Sequence, residues 1–320
     1  MPNEPRLTVL MPVRNGARYL ESACASVLTQ ADAGIELLVV DDGSSDATPD
    51  ILRRLSASDE RVRIIRQLGG GIVTALNRGL HETRAPLIAR MDSDDLSLPG
   101  RFARQLAVLD AKPHVAALGT GWRAIDAAGS VRAIVEPPAS ADAVRTALRE
   151  RNCLAHSSVM LRRDPVSRCG LYRQALTGAE DYDLWLRLSE HHDVMNLPEP
   201  LIALREHPHQ TTRLRLEQRV LAEIGANWLH RCRCHGPEPG FDAQAPMDRA
   251  TLLALGMGAA DLSAGIVARA LGAARDALRG GDRAGARLAA TLVLAEAPPR
   301  LRTRVHARLL LIRAAWRSAP

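Results

Sequence analysis

Four apolar runs alternate with segments of helical periodicity in the first third of the chain. They lie at residues 7–13, 35–40, 62–65 and 86–89, and each is followed by a polar turn. Continuous apolar runs are typical of strands buried on both faces, and strands that alternate with helices predict a parallel sheet covered by helices on each side. Ligands of such sheets bind beyond the carboxyl ends of the strands. We therefore expect the functional site in these four turns.

The turns after the first three runs carry polar and flexible residues, namely Arg14-Asn15, Asp41-Asp42-Gly43 and a glycine triplet at 69–71. Asp42 could accept hydrogen bonds from a base or a sugar, or it could belong to a turn that caps the next helix. The triplet could let backbone amides approach a phosphate, although it matches no phosphate-binding motif.

The fourth turn is an acidic cluster, Met91-Asp92-Ser93-Asp94-Asp95, with three carboxylates in four residues. Carboxylates this close repel one another, so a fold keeps them where a cation or a polar ligand compensates their charge. A short loop of oxygen ligands suits Mg²⁺ or Mn²⁺. The alternative is a solvated turn that caps a helix predicted over 101–110.

The pattern changes after residue 115. Strands are predicted over the ranges 116–121, 132–135, 157–161 and 201–205, and helices over 141–151 and 182–189. From residue 213 onward only helices are expected, interrupted by a loop at 236–240.

Two polar positions stand beside these elements. Asp181 lies at the start of the helix over 182–189, where the helix dipole favours an ionised carboxylate that can take a proton from a hydroxyl. The alternative is a charge that only stabilises the helix N-terminus. His207 follows the last strand and could be a metal ligand or an ordinary loop residue.

The net charge of +6 is concentrated at the C-terminus. Residues 300–317 contain six arginines and no acidic residue, so the rest of the chain is neutral. A neutral body argues against binding of nucleic acid. Apolar residues recur at helical spacing in the same segment, and this basic helix could lie on an anionic membrane surface or pack on the catalytic domain.

The cysteines and the N-terminus bear on location. Five cysteines without framework spacing favour free thiols in a reducing cytoplasm. The first residues lack the apolar core of a secretory signal. We therefore expect a cytoplasmic protein.

Four motifs occur together in one order: VLMPVRN at 9–15, VVDDGSSD at 39–46, ARMDSDD at 89–95 and EDYDLW at 180–185. With them, the chain resembles the family 2 glycosyltransferases of the GT-A fold, which in bacteria commonly build polysaccharides and lipopolysaccharides. The resemblance covers about residues 6–212. It implies an α/β GT-A fold, a mostly parallel Rossmann-like sheet flanked by helices, followed by an all-helical C-terminal extension.

The resemblance also implies domains and site residues. Residues 1–115 would bind the nucleotide sugar, 116–212 would form the acceptor half, and 213–320 would be the helical region. Asp181 would be the general base, and Asp94 with His207 would hold Mn²⁺ or Mg²⁺. The donor would be bound by the remaining motif residues: Pro12, Arg14, Asp42, Asp92 and Ser93.

The activity implied is metal-dependent transfer of one sugar, with inversion, from a nucleotide sugar such as a UDP-sugar. The acceptor would be a glycan or a lipid-linked oligosaccharide, reached from the cytoplasm or from the inner face of the cell membrane. The sequence has neither the Gln-x-x-Arg-Trp motif nor the apolar spans of polymer-exporting members. A sugar-nucleotide nucleotidyltransferase and a non-catalytic sugar-nucleotide-binding protein are the alternatives.

Overall fold

The computed structural model describes residues 5–30, 34–206, 216–279 and 281–296, together with 306, 307 and 310. The chain divides into two compact units. The first consists of residues 1–173 and 180–207, and the second of residues 174–179 and 208–320. Each is described by itself below.

A parallel half-sheet forms the first part of unit 1. Its strands are β1 (Leu7–Val13), β2 (Ile35–Asp42), β3 (Val62–Gln67) and β4 (Leu87–Arg90). β1 lies between β2 and β4, β3 pairs with the outer edge of β2, and all three pairings are parallel. The four predicted strands and their parallel arrangement are confirmed. Their carboxyl ends therefore meet at one edge.

Helices follow the strands as the apolar periodicity predicts. They are α1 (Leu20–Leu28), α2 (Thr48–Ser58), α3 (Ile72–Glu82) and α4 (Arg101–Ala111). Side chains of α1, α2 and α4 pack with those of β1 and β2 in one core of buried aliphatic residues. Burying such side chains stabilises the fold by about 1.5–3 kcal/mol each.

The second half of the sheet is mixed. Its strands are β5 (Leu96–Ser97), β6 (Val115–Ile125), β7 (Val131–Val135), β8 (Met160–Arg162) and β9 (Asp193–Arg205). β6 and β9 are parallel, whereas β8 is antiparallel to both β4 and β6. The order over the described residues is β3-β2-β1-β4-β8-β6-β9-β5, with β7 paired to β6. The expectation of a mostly parallel sheet is confirmed for the first four strands, and the antiparallel pairs of the described strands all involve β5, β7 or β8.

Several boundaries differ from the sequence-based expectations. A 3₁₀ turn, His156–Ser158, occupies the start of the predicted strand over 157–161, so the strand begins only at Met160. The last strand begins at Asp193, not at residue 201, because Pro198 and Pro200 interrupt its apolar pattern. β5 and a short helix over Arg163–Arg168 were not predicted.

Three further helices and one 3₁₀ turn connect the strands of unit 1 or adjoin them over its described residues. α5 is Ala141–Leu148, α6 is Arg163–Arg168 and α7 is Glu180–Ser189. The 3₁₀ turn His156–Ser158 lies between α5 and β8. The helix predicted over 141–151 ends earlier, at Leu148, and the one predicted over 182–189 begins at Glu180.

Unit 2 is helical over its described residues, as expected. It contains α8 (Leu216–His235), α9 (Arg249–Ala254), α10 (Ala259–Arg279) and α11 (Arg283–Glu296). Arg249 forms ion pairs with Glu217 and Glu296, at 2.9 and 2.7 Å, and so connects three of these helices. Within the described ranges, none of the helices is both long and apolar enough to cross a bilayer. The basic C-terminal segment lies outside those ranges, except for residues 306, 307 and 310.

Candidate active site

The turns after β1 and β2 are joined to each other by hydrogen bonds. Asn15 has a left-handed backbone (φ 53°), and its side-chain oxygen accepts from the Ser45 amide at 2.8 Å. The Asn15 amide in turn donates to Ser44 Oγ at 2.9 Å. Ser44 also donates its own amide to Asp41 Oδ1 at 3.0 Å. These bonds fix the edge of the sheet where a ligand is expected.

Asp42 is buried at the end of β2, and its carboxylate holds the glycine loop. Its Oδ1 accepts from Gln67 Nε2 at 2.6 Å and from the Gly70 amide at 2.7 Å, and its Oδ2 accepts from the Gly71 amide at 2.9 Å. Gly71 has a φ of 84°, which favours glycine. The amides of Gly70 and Gly71 are therefore directed at Asp42. The idea that the triplet presents them to a phosphate is wrong for this conformation.

The other predicted donor residues lie along the same edge. Pro12 is buried and pairs in register with Val40 of β2. Arg14 is exposed, and its Nη1 lies 3.9 Å from the position of a Cβ built on Gly69. Ser93 is close to the turn after β1, because a Cβ built on Gly16 would lie 3.1 Å from Ser93 Oγ. Ser93 thus connects that turn with the acidic cluster.

The three carboxylates of the acidic cluster are close enough to share a cation. One ligand oxygen from each of Asp92, Asp94 and Asp95 lies within 4.8 Å of the other two. Oxygen donors of this kind match the ligand preference of Mg²⁺ and Mn²⁺. Asp92 and Asp94 are half-buried, whereas Asp95 is buried. The donor set therefore fits a hard divalent ion.

Asp92 forms a two-pronged ion pair with Arg90, the last residue of β4. Arg90 Nη2 donates to Asp92 Oδ1 at 2.5 Å, and Nη1 donates to Oδ2. Only 5% of the Arg90 side chain is exposed, against 38% of the Asp92 side chain. The Asp92 amide also donates to Ser157 Oγ at 2.8 Å. Both the carboxylate and the backbone of Asp92 are held.

Asp95 is the buried member of the acidic cluster and bonds to the end of β9. Its Oδ1 accepts from the Arg205 amide at 2.8 Å, and Arg205 Nε donates to the Asp94 carbonyl at 2.9 Å. Burial and the neighbouring charges of Asp92 and Asp94 raise the pKa of Asp95 well above its ordinary value. Arg205, at the end of β9, also stacks on the Tyr19 ring at 4.5 Å. The end of β9 thus anchors the loop.

Asp181 lies in the first turn of α7, where it was predicted. Its Oδ2 accepts from Asn152 Nδ2 at 2.8 Å, and its Oδ1 accepts from the Tyr182 amide at 2.7 Å. Burial raises the pKa of Asp181, while these two hydrogen bonds and the charge of Arg90 act in the opposite direction. Desolvation is therefore an effect on Asp181 that the sequence-based argument from the helix dipole left out, and its role as a base stays a prediction.

The acids next to Asp181 differ from it. Asp183 is fully buried and pairs with Arg187, whose Nη2 and Nε lie 2.8 and 2.9 Å from Asp183 Oδ2. Arg187 also donates to the Leu171 carbonyl at 2.6 Å. Asp183 therefore fastens α7 to the chain before it. Asp181, unlike Asp183, accepts its hydrogen bonds from neutral donors.

A half-buried histidine, His156, lies in the chain before β8 and packs against α7. His156 Nε2 lies 2.9 Å from the Tyr172 hydroxyl, and its ring meets the Trp185 ring edge-on at 5.8 Å between centroids. Burial, aided by the charge of Arg90, lowers the pKa of His156 well below its usual value. The imidazole is therefore neutral at physiological pH.

Sequence reasoning missed the partners of the acids. These are Arg90, Asn152, Ser157 and Arg205. Arg90 had a signal that could have been used, because it is a charged residue directly after an apolar strand. Burying such a charge requires a partner, and Asp92 is the adjacent acid. Asn152 lies in an irregular segment, where nothing in the sequence indicates its neighbour.

The structure thus brings the predicted donor residues and Asp94 to one edge of the sheet. Arg90 links this edge to Asp181, since its charge acts on Asp92 and on Asp181. His207 lies outside the described residues, so its role as a metal ligand stays a prediction.

Known proteins resemble this chain in sequence. The model of one family, glycosyl transferase family 2, matches residues 8–170. The amylovoran biosynthesis glycosyltransferase AmsE of Erwinia amylovora is 30% identical over 224 residues, which are 69% of this chain and 82% of the relative. The O-antigen biosynthesis glycosyltransferase WbnJ of Escherichia coli is 30% identical over 213 residues, which are 64% of this chain and 81% of the relative.

Solved structures resemble it in fold. The mannosyltransferase PcManGT from Pyrobaculum calidifontis, in complex with GDP-Man and Mn²⁺, has a TM-score of 0.56 at 21% identity, covering 98% of this chain and 87% of that one. Residues 1–349 of S. aureus TarS, in complex with UDP-GlcNAc, have a TM-score of 0.57 at 14% identity, covering 97% of this chain and 89% of that one.

Proposed function

The chain belongs to glycosyl transferase family 2 and has the GT-A fold, and on that premise we propose that this glycosyltransferase moves one sugar from a UDP-sugar to an acceptor hydroxyl with inversion. The observation that carries the proposal is the environment of Asp181. Asp181 is a helix-start carboxylate oriented by an amide side chain and a backbone amide, and this environment supports the role of a general base.

The transfer is a single displacement. Asp181 takes the proton of the acceptor hydroxyl, whose oxygen forms a bond to the anomeric carbon from the face opposite the diphosphate. The bond from that carbon to the diphosphate oxygen breaks, and its electron pair leaves with UDP. Burial raises the pKa of Asp181 and so increases its basicity, while Asn152 and Arg90 favour the ionised form that the step requires.

On the donor side, we assign Pro12, Arg14, Asp42, Asp92 and Ser93. In the structure Asp42 Oδ2 accepts one hydrogen bond, from Gly71, and a carboxylate oxygen can accept a second. A uracil N–H is a suitable second donor. Arg14 is an exposed cation near the glycine loop, and an arginine suits contact with a phosphate. These residues support a nucleoside diphosphate as the leaving group of the donor.

We assign Asp94 as the direct ligand of Mn²⁺ or Mg²⁺, in accordance with its place in the Asp-x-Asp motif and the fit of the three clustered carboxylates. His207 is proposed as a further ligand. When bound, the ion supplies positive charge that stabilises the departing diphosphate. The presence of Mn²⁺ in the PcManGT complex supports this assignment.

The acceptor we propose is a growing glycan or a lipid-linked oligosaccharide of a cell-surface polysaccharide or lipopolysaccharide. The names of two relatives, which refer to amylovoran and O-antigen biosynthesis, support this class. We propose a cytoplasmic location, consistent with five free cysteines. Peripheral contact with the inner face of the membrane through the basic segment over 299–320 is part of the same proposal. The domain division near residue 212 also remains a proposal.

The test is Asp181→Asn, assayed for UDP release and product formation with a panel of UDP- and GDP-sugars and Mn²⁺. We expect transfer to fall by at least about a hundredfold, since general-base catalysis contributes about 10²–10⁴. Binding of UDP with Mn²⁺ should change only a few-fold. The matched control is Asp142→Asn, which alters an exposed carboxylate in the first turn of another helix.

Near-normal transfer by Asp181→Asn would remove Asp181 as the base. The panel also separates the alternatives. A nucleotidyltransferase would form a sugar nucleotide from a sugar phosphate and a nucleoside triphosphate, and a non-catalytic binding protein would retain UDP-sugars without releasing UDP.

A further inference from the structure

Arg90, the last residue of β4, is a buried cation paired with Asp92. Its backbone amide donates to the Val159 carbonyl at 2.8 Å, and its carbonyl accepts from Arg101 Nη2 at 2.9 Å. Its side chain is 5% exposed and meets both oxygens of Asp92. Hydrogen bonds to three different residues thus fix both the backbone and the guanidinium of Arg90.

The charge of Arg90 reaches both halves. It acts on Asp92 and Asp95 in the acidic cluster, and on Asp181 and His156 beside α7. The segment before β8 carries partners for both groups as well, because Asn152 bonds to Asp181 and Ser157 bonds to the Asp92 amide. One guanidinium therefore lies within electrostatic range of a donor-side acid and of the candidate base.

Stability alone is a weak explanation for this arrangement. Among the described residues, no acceptor lies within hydrogen-bonding distance of the Arg90 Nε–H, although that atom is buried. Leaving a buried donor unsatisfied is unfavourable, and buried ion pairs often contribute little net stability. A cation kept under these conditions is better explained by what it does to its neighbours.

We propose that Arg90 is a positioning residue for sugar transfer: its two-pronged contact fixes the orientation of the Asp92 carboxylate, and its positive charge also acts on Asp181. This inference rests on the function proposed above. Arg90 does not contact the substrate itself. It acts through Asp92, which is proposed to bind the donor, and through Asp181, which is proposed to receive the proton.

Other charged and titratable groups also surround Asp181. Glu180 precedes it in α7, and Tyr172 lies in the chain after α6. Burial raises the pKa of Tyr172, and the charges of Asp181 and Glu180 act in the same direction. Asn152 is the neutral donor, and Arg90 is the cation that lowers the pKa of Asp181. Removing the charge of Arg90 should therefore raise the pKa of Asp181, whereas a lysine should leave it nearly unchanged.

The test compares Arg90→Gln with Arg90→Lys in the full chain. The ionisation of Asp181 is followed by ¹³C NMR of labelled aspartate carboxyls, with Asp181→Asn to assign the signal. We expect its midpoint to rise by about one pH unit in Arg90→Gln and by less than about 0.3 in Arg90→Lys. Calorimetry with UDP and Mn²⁺ should show binding weakened at least about fivefold in both, because neither reproduces the two-pronged contact with Asp92.

The control is Arg162→Gln. Arg162 lies in the neighbouring strand β8 and donates to the carbonyls of Val115 and Leu109, at 2.9 and 2.5 Å. Arg162→Gln should lower the free energy of unfolding. It should leave the Asp181 midpoint and the affinity for UDP with Mn²⁺ as in the unaltered protein.

An unchanged Asp181 midpoint in folded Arg90→Gln would overturn the inference. If that variant does not fold, a UDP affinity in Arg90→Lys equal to that of the unaltered protein would overturn it. A different result would contradict the proposed function. If the Arg90 variants show the raised Asp181 midpoint and the weakened UDP binding but the unaltered protein transfers no sugar, the function is wrong and the role of Arg90 toward the two carboxylates still holds.

Discussion

Asp42, Asp92 and Asp181 are held by different partners, and these partners determine what each carboxylate can do. Asp42 orders a glycine loop, and Asp92 is paired with a buried arginine. Asp181 has neutral donors on both oxygens and a pKa raised by burial, which suits a group that must gain and lose a proton.

The hydrogen bond from Asn152 to Asp181 predicts a change in the pH dependence of the transfer rate. In Asn152→Ala the ionised form of Asp181 loses a donor, so its pKa should rise. The acidic limb of the transfer rate should then move to higher pH by about half to one unit. The measurement is kcat against pH.

The control is Asn77→Ala, whose side chain bonds only to the backbone of Tyr172 among its described contacts. It should leave the limb in place. A limb that stays fixed in Asn152→Ala, or that moves to lower pH, would contradict the role given to Asp181.

Residue identities were predictable where a motif marks them and unpredictable where folding creates the contact. Asp42, Asp94 and Asp181 could be selected because each follows a strand or begins a helix. Asn152 could not be selected, because it is 29 residues from Asp181 in the sequence and lies in an irregular segment. Pairings of this kind depend on tertiary structure.

Among the elements, the parallel strands were predictable together with their pairing, whereas in the mixed half the strands were predictable but several of their bounds and pairings were not. β1 and β2 each contain a continuous apolar run, which indicates burial on both faces. β9 contains two prolines and shifts its register against β6 near Gly121. β8 has only three residues, too few for its antiparallel direction to leave a sequence signal.

The packing of α3 on β1 provides a stability test. A Cβ on Gly79 would lie 2.1 Å from Cδ1 of the buried Leu10, so Gly79→Ala forces the core to shift. We expect it to lower the free energy of unfolding by about 1–2 kcal/mol, despite the higher helix propensity of alanine. Urea unfolding followed by circular dichroism measures this.

The control is Gly272→Ala in α10, where an added Cβ meets nothing within 4 Å. It should be neutral or stabilising by up to about 1 kcal/mol. Equal effects of the two substitutions would argue against the close approach of α3 and β1.

At the scale of the whole molecule, ligand binding should raise the stability of the folded protein. UDP and Mn²⁺ together, at about 100 times Kd, should add about 2.7 kcal/mol to the free energy of unfolding, and therefore raise Tm. Asp94→Asn should lose the part of this gain that depends on Mn²⁺. Differential scanning calorimetry with each component alone and with both measures the effect.

Asp164→Asn is the control, since that carboxylate is exposed at the start of α6. It should retain the full gain. A gain with UDP that is independent of Mn²⁺ in the unaltered protein would contradict the metal site.

The family and the GT-A fold were predictable from four motifs in order, and the comparisons confirm both. The helical character of the chain after residue 213 was also predictable and is confirmed over the described residues. The sugar and the acceptor were not, because they depend on the shape of loops and not on the motifs that hold the nucleotide.

Transfer by a single displacement inverts the anomeric carbon, so the anomeric configuration of the product is the decisive measurement. With an α-linked UDP-sugar that the protein accepts, ¹H NMR of the first-formed product should show a β-linkage from its H1–H2 coupling. An α-linked product would require two displacements or a front-face route, and would contradict the role of Asp181 as a general base that activates the acceptor.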